Sequence, residues 1–317
     1  MKRRAFIRNT SLLSAASLLP SYSLFAQKRL LKSIGVQLFS LPKLLAKDFE
    51  GGLKLIADMG YDEIQLFGPY EFSAESNKKF WKSVEPLLGF SGSGFFGHSS
   101  KEVKSMLNNY GLKATAAHTD LDTLRTKMPE LAKAGKEIGF KYVVLPAIPE
   151  EERTTLDDYK RLAEDFNRIG KNAKKEGIHF AYHNHGYGLQ EVYEQVPFQI
   201  ILDNTDPDLV FFEMDIFWTI AGKADPLEYL KKYPNRFKLM HLKDMSKKVQ
   251  FSGDGGNPEQ WTELFPFLVS VGDGILDFKE LIDVAKKSGV KHFYVEQDLV
   301  TNPEAALMKS VNYLKSI

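Results

Sequence analysis

The chain has 317 residues, no cysteine and a formal net charge of +1, with 43% hydrophobic and 26% charged residues. This is ordinary globular composition and excludes a disordered or fibrous main state. Near-neutral charge removes the basic footprint of a nucleic-acid binder. The lack of cysteine removes disulfides, thiolate metal sites and a thiol nucleophile.

The amino terminus reads Met1-Lys2-Arg3-Arg4-Ala5-Phe6-Ile7-Arg8, followed by an apolar stretch from Ser11 to Leu19 that Pro20 ends. A basic start, a short apolar run and the small residue Ala26 before Gln27 follow the plan of an export signal. The run is shorter than the about 20 residues of a membrane-spanning helix. Arg3-Arg4 ahead of Phe6-Ile7 resembles a twin-arginine signal, whose cargo crosses the membrane folded. Residues 1–26 are expected to be this leader, with cleavage after Ser23 as the alternative, and residues 27–317 an exported, periplasmic domain. A basic tail or an uncleaved anchor is the competing reading. The leader carries Lys2, Arg3, Arg4 and Arg8 and no acid, which leaves 38 basic against 41 acidic residues, a formal charge of −3.

Short apolar runs begin near Ile34, Glu63, Leu112, Lys141, Ile178, Leu209, Phe237 and Lys291. Several show little alternation, as parallel strands covered on both faces do. Amphipathic stretches lie between them; Leu156, Tyr159, Leu162, Ala163, Phe166, Ile169 and Ala173 mark one buried helical stripe. Eight strand–helix units predict an α/β fold, a closed (β/α)8 TIM barrel, in preference to a doubly wound open sheet. Longer gaps place insertions after strand two, at about 67–97, and after strand seven, at about 245–272. Both belong at the carboxyl-end face, where such barrels keep their active sites.

Ionisable residues gather near the ends of these strands: Glu63 with Gln65, His118, His183-Asn184-His185, Glu213-Met214-Asp215, His241-Leu242-Lys243-Asp244 and Glu296-Gln297-Asp298. Side chains two apart on a strand share a face, so His183 with His185, His241 with Lys243, and Glu296 with Asp298 converge. One such histidine is ordinarily a hydrogen-bonded core residue. Several imidazoles and carboxylates in one barrel mouth are costly to desolvate unless a cation or polar substrate compensates. Mixed nitrogen and oxygen ligands suit Mn²⁺, Zn²⁺ or Co²⁺ more than Ca²⁺.

From Ile34 onward the chain resembles the sugar phosphate isomerase/epimerase family, the xylose isomerase-like barrels. The resemblance is carried by Ala181-Tyr182-His183-Asn184-His185, by Asp215-Ile216-Phe217-Trp218 through Gly222-Lys223-Ala224-Asp225-Pro226, and by His241-Leu242-Lys243-Asp244. Val271-Gly272-Asp273-Gly274 and Val295-Glu296-Gln297-Asp298 complete it. It implies one divalent metal ion (Mn²⁺, Zn²⁺, Co²⁺ or Mg²⁺) held by His183, Asp215, His241 and Glu296. His183 stands where the family usually has a glutamate, and the stretch Gly186-Tyr187-Gly188-Leu189-Gln190 supplies no acid in its place.

The implied activity is isomerisation or epimerisation of a sugar by proton abstraction next to a carbonyl, through an enediolate. Glu296 is the expected base and Lys243 the oxyanion contact. His118 and His185 are proton carriers, and Glu63, Gln37, Trp218 and Asp298 contact substrate. With one of the two family glutamates gone, one-base β-elimination from a 3-keto-glycoside is the alternative, and a non-catalytic sugar-binding barrel a second alternative. The expected partner is a small carbohydrate, without nucleic acid or membrane; a homo-oligomer is left open.

Two glycine-rich stretches compete for attention. Gly92-Ser93-Gly94-Phe95-Phe96-Gly97 has the spacing of a dinucleotide fingerprint, but no good strand precedes it, so it is expected to be a flexible substrate loop. Gly253-Asp254-Gly255-Gly256 suits a phosphate-wrapping turn and is more simply a mobile loop.

Overall fold

The structure is a computed structural model that describes residues 29–317, so the expected leader lies outside the described residues. Eight parallel strands follow in chain order: β1 (Gly35–Gln37), β2 (Glu63–Phe67), β3 (Lys113–His118), β4 (Tyr142–Leu145), β5 (His179–His183), β6 (Val210–Asp215), β7 (Phe237–Leu242) and β8 (His292–Val295). Each pairs with its neighbours in sequence, and β8 closes the ring on β1 through Gly35↔Tyr294 and Val36↔Val295. That closure makes the molecule a (β/α)8 TIM barrel and excludes the open sheet.

The continuous apolar strands have two packed faces. On β5, Phe180 and Tyr182 meet Phe166 of the helix Leu156–Lys175 at ring distances of 5.2 and 5.4 Å. Ala181 points the other way, into the barrel, where it packs with Ala116, Val144, Leu239 and Tyr294. The helix is started by a reciprocal capping box between Thr155 and Asp158. No helix among the described residues is long and apolar enough to cross a membrane.

Both insertions are present and both are packed. The first contains the helix Glu75–Leu88 and an aromatic cluster in which Phe90 meets Phe39, Phe67 and Trp81. Phe96 stacks on Phe49 at 4.9 Å, so the residues expected to form a flexible substrate loop are anchored. Gly94 is required there: φ is 64°, and a Cβ would lie 2.5 Å from the Pro69 carbonyl oxygen.

The second insertion pairs Asp244–Met245 antiparallel with Leu268–Val269 and carries the helix Pro258–Leu264. Met245, Phe251, Leu264 and Leu268 join Phe217 and Trp218 in a hydrophobic cluster of their own. The stretch from Gly253 to Gly256 is tied to the barrel rim. Asp254 accepts from the Gly188 N–H at 3.2 Å, Gln190 Nε2 donates to the Gly253 carbonyl at 2.9 Å, and Trp261 Nε1 donates to the Gly255 carbonyl at 2.7 Å.

Candidate active site

The carboxyl end of β6 organises the barrel mouth. Asp215 ends the strand and begins the helix Ile216–Ala221, with its Oδ1 accepting the Trp218 N–H at 2.9 Å. Asn184 Oδ1 accepts the Asp215 N–H at 3.1 Å, while its Nδ2 donates to Thr219 Oγ1 at 3.0 Å. The middle residue of the His183-Asn184-His185 stretch therefore fixes Asp215. Gly186, at φ 88°, lets the chain leave β5 past Trp218; a Cβ there would lie 2.6 Å from the Trp218 carbonyl oxygen and equally close to Phe251.

Asp215, His241 and Glu296 present ligand atoms within 4.8 Å of one another, and all three are buried. Asp215 Oδ2 is buried without a hydrogen-bond partner, and both His183 Nε2 and His241 Nδ1 lie 3.8 Å from it. His241 Nδ1 is 2.8 Å from Glu296 Oε2. This buried carboxylate oxygen, whose near neighbours are Lys243 Nζ at 3.1 Å and the two imidazole nitrogens, lies in a nitrogen and oxygen donor set that fits a divalent cation of the first transition series, or Mg²⁺.

His183 also belongs to a deeper group. Together with His118 and His241 it surrounds Glu213, whose Oε2 lies 2.7 Å from His118 Nε2, 3.0 Å from His183 Nδ1 and 3.3 Å from His241 Nε2. Glu213 Oε1 accepts from Gln65 Nε2 at 2.7 Å.

The electrostatics follow from this crowding. Asp215, Glu296 and Asp298 face Lys243, whose Nζ lies 3.1 Å from Asp215 Oδ2, 2.7 Å from Glu296 Oε2 and 2.8 Å from Asp298 Oδ2. Burial opposes charge on Lys243, but the three carboxylates hold its pKa well above the usual lysine range. Burial pushes Asp298 up to about 6 against the pull of Lys243. Burial likewise opposes ionisation of Glu296, yet Lys243 and His241 hold it well below the ordinary range. His183 is lowered to about 4, by burial and by the neighbouring His241. Two cationic groups, Lys243 and His241, are thus set against the four acids Glu213, Asp215, Glu296 and Asp298, which leaves a negative excess for a further cation.

His185 is placed differently from the other imidazoles. It lies beyond the end of β5, half-buried between Trp218 at 6.0 Å and Trp261 at 5.0 Å. Its Nδ1 donates to the Pro146 carbonyl at 2.5 Å, so Nε2 carries the lone pair. Burial, reinforced by His183 and Lys243, keeps its pKa well below 6.5, so the ring is neutral.

Several sequence expectations are redrawn by register. Glu63 is the first residue of β2, at the amino end of the barrel, and bonds to His292 Nδ1 at 2.8 Å; it does not reach the mouth. Gln37 is fully buried beneath the site and donates to Gln65 Oε1 at 2.7 Å, so it supports the network instead of meeting substrate. Trp218 is buried with Phe251 stacked on one face, and Lys243 Nζ lies 5.4 Å from its ring. Asp244, within the His241-Leu242-Lys243-Asp244 stretch, is structural: its carboxylate accepts the backbone N–H groups of Met245, Gly272, Gly274 and Leu276. Glu213 and Gln65 were not singled out as site residues. Their spacing of two from Asp215 and Phe67 was the available signal.

This barrel belongs to the xylose isomerase-like TIM barrel family, whose sequence profile matches residues 53–317. Among curated proteins, an inosose dehydratase from Clostridium tetani is 30% identical over 218 residues, covering 64% of this chain and 69% of that protein. A solved sugar phosphate isomerase/epimerase from Parabacteroides distasonis is 28% identical, with a TM-score of 0.67 over 90% of this chain and 93% of the other. The IolI protein, solved with a bound zinc atom, shares the fold at 15% identity and a TM-score of 0.62, over 90% of this chain and 95% of that one.

Proposed function

We propose that the protein is a divalent-metal-dependent lyase that eliminates a β-substituent, water or an alcohol, next to the ketone of a cyclic polyol or 3-keto-sugar. The observation that carries this reading is the base inventory of the mouth. Epimerisation through two opposed carboxylates needs a free acid on β5, whereas His183 there is engaged by Glu213 and turned toward Asp215. His185 is left as one neutral base. The inosose dehydratase relatives, named for removal of water, support the same class.

Asp215, His241, Glu296 and His183 would hold the metal. A bound divalent ion would supply Lewis-acid polarisation of the ketone oxygen; the IolI protein, of the same fold, was solved with a bound zinc atom. His185 Nε2 takes the proton from the carbon next to the carbonyl. The C–H electron pair forms the new double bond as the β-carbon–oxygen bond breaks. His185, now protonated, returns that proton to the departing oxygen, and Lys243, held by Asp298, stabilises the negative charge that develops on the carbonyl oxygen. Trp218, Trp261 and Phe251 exclude water from the base.

The second reading, isomerisation or epimerisation, is favoured by the name of the Parabacteroides relative. Incubation with inososes, 3-keto-glycosides and ketosugars in deuterated water separates the two. Release of water or aglycone with an unsaturated ketone supports elimination. Deuterium in a rearranged sugar without release replaces it with isomerisation, and no exchange in any substrate favours a binding protein. We also infer that residues 1–26 are an export leader, tested by amino-terminal sequencing of the protein recovered from the periplasm.

A further inference from the structure

The network beneath the cation site has a fixed order of donors and acceptors. We propose that Glu213 is a positioning residue which, through Gln65 and His183, dictates the imidazole nitrogens that face the cation site at Asp215 and Glu296. This inference rests on the reading that a divalent ion binds there.

The order follows from what each group can do. A carboxylate only accepts, so the Gln65 group lying 2.7 Å from Glu213 Oε1 is the amide NH2. Gln65 Oε1 must then face Gln37 Nε2 at 2.7 Å and His241 Nε2 at 2.6 Å. An oxygen accepts no bond from a bare nitrogen, so His241 Nε2 carries hydrogen. Nδ1, 3.8 Å from Asp215 Oδ2, is the nitrogen that gives up its proton when a cation enters. On its other oxygen, Glu213 accepts the His183 Nδ1–H at 3.0 Å, which turns the Nε2 lone pair toward Asp215 Oδ2 at 3.8 Å. The His118 Nε2–H fills the remaining place at 2.7 Å. One buried carboxylate thereby sets two ligand histidines, the arrangement by which outer groups orient metal ligands.

The test exploits that order. Glu213→Gln keeps shape but makes one end of the group a donor. If its NH2 meets Gln65 the two amides oppose each other, and if it meets the imidazoles it opposes their N–H groups. Co²⁺ affinity of the full chain, read by equilibrium dialysis, is expected to fall by about 10–100-fold. Adding Gln65→Glu exchanges the two roles: the amide at 213 accepts from His183 and His118 and donates to 65, and the carboxylate at 65 accepts from Gln37 and His241. Affinity is expected to recover in this double variant. A folded E213Q protein that binds Co²⁺ as the parent does overturns the proposal, as does a folded double variant no better than the single one. Histidine ¹⁵N spectra of the metal-free parent test it without any variant: the His183 proton is expected on Nδ1, and its presence on Nε2 overturns the proposal. A parent that binds no Co²⁺ sinks the metal reading itself, leaving the tautomer spectra to judge Glu213.

Discussion

Asp215 divides its carboxylate between two tasks: Oδ1 caps the helix at the Trp218 N–H, 2.9 Å away, and Oδ2 is buried 3.1 Å from Lys243 Nζ and 3.8 Å from two imidazole nitrogens. Asparagine caps helices as well as aspartate does. Asp215→Asn is therefore expected to keep the melting temperature near that of the parent while bound metal falls below one equivalent. Metal analysis of both purified proteins checks this. Undiminished metal in the variant would remove Asp215 from the ligand set.

His185→Gln is expected to lower the rate of substrate deuterium exchange by about 100-fold or more, the loss typical of a removed general base. Metal content should stay unchanged, because His185 bonds to Pro146 and lies apart from the clustered ligands. Exchange at the parent rate would move the base elsewhere, with Glu296 the next group to test.

The metal-free protein should lose stability as the solution becomes alkaline. Burial opposes charge on His241, but Glu213 and Glu296 outweigh it and raise the pKa from 6.5 to about 10. A raised folded-state value means that the contribution is complete below pH 6.5 and is lost as pH rises through about 10. Melting curves of chelator-treated protein should shift downward across that window, and a rising melting temperature would contradict the assignment. With metal bound at Nδ1 the slope should be smaller.

Asp244→Ala leaves four backbone N–H groups of Met245, Gly272, Gly274 and Leu276 without their acceptor. A loss of about 3 kcal/mol in unfolding free energy is expected, because charge-assisted bonds to a buried carboxylate are among the stronger ones. Denaturant titration measures it. A change under half that size would mean the segment finds other partners.

Glu63→Gln tests the placement at the amino end of the barrel. The Glu63–His292 pair is largely buried, with side-chain exposures of 12% and 21%. Its weakening is expected to cost about 1 kcal/mol of stability while turnover and metal content stay unchanged. A large fall in turnover with a normal melting curve would return Glu63 to the reaction.

The barrel was legible because its signals are local. Strand starts read from apolar runs agree within one residue with the observed ones, from Gly35 to His292. The convergence of Asp215, His241 and Glu296 was likewise legible, since alternation on a strand and the common carboxyl end of a barrel place them together. Glu63 was misplaced because the same alternation does not say at which end of the strand a residue lies. The glycine-rich stretches read as loops and are anchored by partners more than 20 residues away, such as Phe67 for Gly94 and Gly188 for Asp254.

By itself, then, the sequence determined that the chain folds as strand–helix units and which acidic and imidazole groups each strand brings to the mouth, because period and spacing are properties of neighbouring residues. Only the tertiary structure decided that Glu213 and Gln65 lie under the candidate ligands, that Asp215 Oδ2 is buried beside Lys243 Nζ, and that the His185 ring has its Nδ1 on a backbone carbonyl. Those facts depend on the register between strands and on the direction of each hydrogen bond, and both are fixed by groups far apart in the chain.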